Sequence, residues 1–310
     1  MTKAKPEKIW TPEGFDDFRM LFPQTGPMDP NLDRSWSARF IRAWHMGRTA
    51  LDDSLRPSAS DTTVIFVRGF LGHYMPGNLR APCAALRRLG IDAFLAANHP
   101  GATVSLNVAA LARQLDRRPM RGKLLFCGHS RGGLESLTLL AGNDALANRC
   151  MGVALSQTAH GPSYVMESIL KGRHRNAPFP IRRRAAETMQ RAGLLLARAL
   201  QGGLEQTSEF WPCLVDAVER EHRPFPVLQT ASWSTHPTAW LDSFHGRLGE
   251  IGPGRAHDGQ FFLEDLVWPG LPHILLPRLD HAQPAMGGYG FDHVRYWLAI
   301  ISLFLERSHP

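Results

Sequence analysis

One serine in this sequence is set up for chemistry. Lys123–His129 is an apolar run of strand length that ends in Gly128-His129-Ser130-Arg131-Gly132-Gly133, and a helical apolar pattern from Leu134 to Leu140 follows at once. Gly-x-Ser-x-Gly between a strand and a helix predicts a sharp turn with Ser130 at its apex, the hydroxyl raised above the sheet as a nucleophile. Side chains two residues to either side would collide across so tight a turn, which accounts for Gly128 and Gly132. The same turn puts Ser130 at a helix N-terminus, where unpaired amides and the helix dipole favour developing negative charge.

A serine hydroxyl is a weak nucleophile near neutral pH and needs a base to take its proton. Among 14 histidines, His281 holds the informative position, because Arg278-Leu279-Asp280-His281 follows directly on His273–Pro277, the last strand-like run. An acid that orients this base belongs between the serine and the histidine in chain order. Asp258, in the Asp-Gly turn of Gly254-Arg255-Ala256-His257-Asp258-Gly259-Gln260, is the first choice, and Asp242, nearer the end of the run Val227–Thr230, is its rival. Asp280 adjoins His281 in sequence and is poorly placed to reach its Nδ1. His73, His99, His129 and His160 flank the same loops and read as lining groups. A tetrahedral oxyanion would need two amide donors, for which the N–H of Arg131 and the N–H of Phe70 in Arg68-Gly69-Phe70 are nominated.

The elements that must hold these residues alternate. Strand-like runs at Thr62–Val67, Ile91–Ala97, Lys123–His129, Met151–Gln157, Pro226–Thr230 and His273–Pro277 are separated by helical patterns at Leu79–Leu89, Val104–Arg117 and onward from Leu134. Such alternation predicts an α/β fold with a mostly parallel sheet joined by right-handed crossovers, and ligands then bind beyond the C-terminal ends of the strands. Residues 1–60 show helix-like spacing at 14–22 and 33–51 and read as an N-terminal helical arm. Residues 61–163 and 225–310 read as the core. Residues 164–224 interrupt the alternation with an arginine- and proline-rich start, an amphipathic helix carrying Leu194, Leu195, Leu196 and Leu200, and a second helix over 205–219; they read as a cap or lid over the strand ends. A one-sided apolar helix, Phe291–Glu306, is expected to close the chain against the sheet.

Composition bounds what remains. A 310-residue chain with 44% hydrophobic and 20% charged residues can bury a large core. Thirty-five Lys and Arg against 28 Asp and Glu give +7, without the long basic runs of a nucleic-acid binder. That excess leaves open a weak contact with an anionic surface. Cys83, Cys127, Cys150 and Cys213 have neither metal-ligand nor disulfide-framework spacing, and Cys127 and Cys150 read as buried apolar residues. No apolar run has membrane-spanning length, and the charged N-terminus lacks the apolar segment of a signal peptide. A cytoplasmic protein is expected; its oligomeric state is not legible.

On Arg68-Gly69-Phe70, Gly128-His129-Ser130-Arg131-Gly132-Gly133, Asp258-Gly259 and Asp280-His281, the chain resembles the α/β-hydrolase superfamily, in particular its bacterial lipases and esterases. Thr158-Ala159-His160-Gly161-Pro162-Ser163 is similar to the Pro-His-x-Gly-Ser/Thr loop after the sixth strand of such lipases. The resemblance covers residues 62–163 and 225–306. Two departures stand out: Arg68 occupies the place where that family's oxyanion loop has His, and the first two strands of the usual fold are missing, so the sheet is expected to begin at Thr62. The resemblance implies hydrolysis of a small-molecule or lipid-like ester through an acyl-enzyme on Ser130, with His281 moving the proton, Asp258 orienting it, and no metal or organic cofactor. The same machinery serves a thioesterase, a polyester depolymerase, an acyltransferase or a binding protein without turnover.

Overall fold

Six strands, all parallel, form one sheet in the order β2-β1-β3-β4-β5-β6: β1 Thr62–Val67, β2 Asp92–Leu95, β3 Lys123–His129, β4 Cys150–Ser156, β5 Val227–Trp233 and β6 His273–Pro277. The computed structural model describes residues 9–14, 17–26, 34–75, 77–171, 201–219, 224–234 and 242–306. Among the described residues no strand precedes Thr62, as the sequence led us to expect. Every residue of β1 and all but the first of β3 are buried, the pattern of central parallel strands covered on both faces.

Side chains of a strand alternate between faces, and here they feed two apolar layers. Val64 and Phe66 of β1 and Leu125 and Cys127 of β3 enter one layer, with the helix Arg80–Arg88, the final helix His293–Leu305 and the N-terminal Trp36, Phe40, Trp44, Leu51 and Leu55. Ile65, Val67, Leu124 and Phe126 enter the other, with the helices Val104–Arg117 and Arg131–Ala141 and with Trp211, Val215 and Val218. The final helix is not apolar on one side only: Tyr296–Leu305 is buried without a break. The helix Arg34–His45 covers the side expected to face solvent, and Arg39 donates from it to the Leu303 carbonyl at 3.1 Å. Trp10 joins the same layer and donates through Nε1 to the Pro277 carbonyl (2.7 Å).

Other boundaries moved for local reasons. The helix read across 33–51 is two, Arg34–His45 and Arg48–Leu55, parted by Gly47 at φ +80°. The stretch between β5 and β6, read as irregular, contains the helix Asp242–Ile251 and a single turn, Leu263–Leu266. In 164–224, the helix expected from Glu205 begins at Trp211 and runs to Glu219, and Trp211 packs into the layer under the elbow. The leucine-rich helix around 191–200 and the arginines of 173–184 lie outside the described residues. No helix among the described residues is long and apolar enough to cross a membrane.

Candidate active site

Ser130 links β3 to the helix Arg131–Ala141 with φ +54° and ψ −133°, a conformation that a side-chain-bearing residue keeps only when its surroundings enforce it. The enforcing contacts are on both flanks. Its N–H donates to the Ser156 carbonyl of β4 at 2.8 Å, and its carbonyl accepts from the Gly133 N–H (3.0 Å) and the Thr158 hydroxyl (2.9 Å). A Cβ on Gly128 would fall into the Gly133 backbone, and one on Gly132 into the Val67 and Arg68 carbonyls. The two glycines therefore let the helix start against β1 and β3 with no side chain between.

The other two residues arrive on separate loops. His281 follows β6, and its ring bridges the remaining pair: the Ser130 O–H donates to Nε2 across 2.8 Å, and Nδ1–H donates to Asp258 Oδ2 across 2.7 Å. A carboxylate only accepts, so the Nδ1 proton is set by Asp258 and Nε2 is left as the acceptor facing the serine. Asp258 Oδ1 accepts from the amides of Gln260 and Phe261, each at 2.9 Å, which fixes the carboxylate plane. Phe261, Leu263 and Leu266 anchor this loop in an apolar cluster with Trp233 and Leu275. The His281 N–H also donates to the Asp258 carbonyl at 2.8 Å, joining the loops through their backbones. Asp258 is fully buried, while Ser130 and His281 keep 8% and 7% of their surface exposed.

The structure thus brings Ser130, His281 and Asp258 together. Asp242 is the first residue of the helix Asp242–Ile251, and its side chain lies outside the described residues. Asp280 does local work, its Oδ1 accepting from the Ala282 and Gln283 amides (2.9 and 2.8 Å). His129 holds the His281 loop: its Nε2–H donates to the His281 carbonyl at 2.7 Å, and burial, helped by the nearby His281, pulls its pKa down to about 3, so it stays neutral. His160 lies against the Glu264 carbonyl (2.9 Å), and His99 Nδ1 accepts from the Gly101 amide (3.2 Å). His73 is lowered to about 4, first by burial and then by Arg68. None of these three joins the Ser–His–Asp chain.

The turn after β1 lies directly over the serine. A Cβ on Gly69 would come within 2.7 Å of the Ser130 Cβ, so only glycine lets this turn lie against the serine. Leu71 holds the turn at φ +55° and donates to the Pro100 carbonyl at 2.7 Å. The Arg131 amide is the first of its helix and has no intrahelical acceptor. Arg68, which stands where the resembled loop has His, is buried and donates through Nε to the Asn78 carbonyl (3.3 Å).

Sequence reading gave no role to several side chains that build the site. Thr158 holds the serine carbonyl, and Gln260 donates through Nε2 to Ser163 Oγ at 2.7 Å, joining the Asp258 loop to the start of the interruption. Arg131 and Glu135 form an ion pair (3.1 Å) whose side chains are each 1% exposed. A signal for that pair existed: opposite charges four residues apart inside an apolar helical run.

Set beside solved structures, the chain is similar to a metagenomic carboxyl esterase, at 16% identity over 80% of this chain and 76% of that one, with a TM-score of 0.59. It is similar also to the lipase BlEst2 of Bacillus licheniformis in its mature form, at 16% identity over 80% of this chain and 92% of that one, with a TM-score of 0.54. No family model and no curated protein sequence matches the chain. Identities this low carry the fold and nothing finer. The chain has the α/β-hydrolase fold.

Proposed function

We propose that the protein is a serine hydrolase that cleaves a carboxylic ester, and the observation that carries this is the His281 ring bridging Ser130 Oγ and Asp258 Oδ2 at 2.8 and 2.7 Å. In this reading His281 Nε2 takes the hydroxyl proton as Ser130 Oγ attacks the ester carbonyl. The tetrahedral oxyanion is received by the N–H groups of Phe70 and Arg131. The imidazolium, held by Asp258, gives its proton to the departing alkoxide and leaves an acyl group on Ser130. Water, deprotonated by the same nitrogen, then releases the acid. The proton transfers run through Ser130, His281 and Asp258, which are already within hydrogen-bond reach of one another.

In this reading residues 61–163 and 225–310 serve as the hydrolase core, 1–60 as an N-terminal arm and 164–224 as a cap. A small-molecule or lipid-like ester is the favoured substrate, since the two solved proteins above are by their names a carboxyl esterase and a lipase. The four cysteines are unpaired, which suits a cytoplasmic setting. A series of p-nitrophenyl esters and matching thioesters, varied in acyl length, tests the proposal. Hydrolysis of at least one ester by the wild type, lost in Ser130→Ala, is expected. Faster cleavage of the thioesters would reassign the substrate class, and no turnover on any member would leave a ligand-binding protein.

A further inference from the structure

The side chain that follows the serine lies in a buried polar network that reaches both the oxyanion turn and the interruption at 164–224. Arg131 pairs through Nε with Glu135 Oε1 at 3.1 Å and donates through NH1 to the Gly202 carbonyl at 3.1 Å. Its guanidinium also lies 4.9 Å from the centre of the Phe70 ring, and neither Nε nor NH2 makes a hydrogen bond among the described residues, so Nε meets Glu135 as an ion pair. Glu135 is held in turn by two amides: Asn107 Nδ2 donates to Oε1 (2.7 Å) and Asn98 Nδ2 to Oε2 (2.9 Å). The second hydrogen of Asn98 Nδ2 goes to the carbonyl of Arg68 at 2.7 Å, one residue before Gly69. Asn107 spends its remaining groups on the backbone of His99, accepting from its N–H (2.7 Å) and donating to its carbonyl (3.0 Å).

A buried arginine–glutamate pair is a poor source of stability, because removing two charges from water costs about as much as their attraction returns. What this pair does supply is orientation. The Glu135 carboxylate fixes the Arg68 carbonyl through Asn98, and the Arg131 guanidinium flanks the Phe70 ring, so both sides of the Gly69 peptide are held from one point on the elbow helix. Gly202 adds a third contact. A Cβ there would come within 2.5 Å of the Gly101 carbonyl and 2.8 Å of Arg131 NH1, so the backbone at 202 is seated directly on this network. Gln206 donates to the same Gly202 carbonyl (3.0 Å), and its own carbonyl accepts from the Ser163 amide (2.7 Å). Ser163 Oγ is the acceptor for Gln260, whose amide binds Asp258 Oδ1. A chain of polar contacts therefore runs from the residue after the serine, through residues 202–206, to the acid loop.

We infer that Arg131 and Glu135 are positioning residues that set the Phe70 amide for the oxyanion, and that the Arg131 bond to Gly202 ties this setting to the seating of residues 201–206. The inference rests on the ester-hydrolase reading above. Displacing a preorganised donor by about 1 Å, or losing it, costs about 10²-fold in rate. Glu135→Gln keeps the shape but presents a donor to Arg131 or to one of the two asparagines. Asn98→Ala keeps both members of the ion pair and removes the two hydrogen bonds that Asn98 gives, to Glu135 Oε2 and to the Arg68 carbonyl.

The experiment is steady-state hydrolysis of a p-nitrophenyl ester by wild type, Glu135→Gln and Asn98→Ala, with melting temperatures measured alongside. Both variants are expected to lose about 10²-fold in kcat with KM within about threefold, while still folded at the assay temperature. A kcat within about twofold of wild type in either folded variant overturns the inference. If Glu135→Gln does not fold, Asn98→Ala alone decides by the same criterion. Absence of turnover in the wild type would instead remove the ester-hydrolase reading on which the inference stands.

Discussion

Replacing Asp258 by asparagine separates geometry from charge at this site. Oδ1 of the aspartate accepts from two backbone amides, those of Gln260 and Phe261 at 2.9 Å each. An amide NH2 cannot occupy that position, since it would meet two donors. The carbonyl oxygen of the new side chain therefore takes the Oδ1 place, and its NH2 is forced to face His281 Nδ1, now 2.7 Å from Oδ2. An NH2 facing Nδ1 requires that nitrogen to be the acceptor, so the ring proton moves to Nε2. Nε2–H then points at Ser130 Oγ and cannot take its proton. The shape is conserved and the tautomer is wrong, a change that costs about 10⁴-fold in kcat in the serine proteases. We expect Asp258→Asn to lose p-nitrophenyl ester hydrolysis by that order while its melting temperature stays within a few degrees of wild type, and Asp242→Asn to keep most activity. Activity within about tenfold of wild type in folded Asp258→Asn would refute the reasoning, and a large loss only in Asp242→Asn would transfer the acid's role.

Two further outcomes follow from packing and burial. Gly132→Ala would drive a methyl into the Val67 and Arg68 carbonyls, so it should abolish soluble folded protein, or activity in any that folds, whereas Gly142→Ala, whose nearest contact would be 3.7 Å, should be tolerated; expression with circular dichroism checks both. Burial, and then the adjacent Glu264, pushes Asp265 up to about 7 from 3.8, so between those values the folded state holds a proton that the unfolded chain has released, and stability falls as pH rises. The interval of roughly three pH units caps the effect at about 4 kcal/mol. Asp265→Asn should thus raise the melting temperature by several degrees at pH 8 and by almost nothing near pH 4; an equal gain at both would rule out this titration.

How legible was the site? The elbow could be read because its signal is local: the Ser130 turn needs glycine at 128 and 132, and the flanking strand and helix have distinct periods. His281 could be read because β6 ends at Pro277 in a run of buried aliphatics, which makes the next loop the last one at the strand ends. The choice between Asp258 and its rival Asp242 was not legible, since it depends on how the chain between the helix Asp242–Ile251 and Phe261 returns to the sheet. The network of Asn98, Asn107, Arg131 and Glu135 was missed for a similar reason. It joins Glu135 to Asn107 and Asn98, 28 and 37 residues earlier in the chain, and each member alone resembles a surface residue. The one-sided reading of the final helix failed because the helices that cover its outer face lie some 250 residues earlier in the chain (Arg39 to Leu303, a separation of 264).

The central claim, that Ser130 is the nucleophile, is tested most directly by trapping the acyl group. The protein would be mixed with a slowly turned-over p-nitrophenyl ester, quenched in acid within the burst, digested and mapped by mass spectrometry. The account predicts one acyl adduct, on the peptide containing Ser130, absent from Ser130→Ala. An adduct on another residue, or turnover by Ser130→Ala at the wild-type rate, would contradict it.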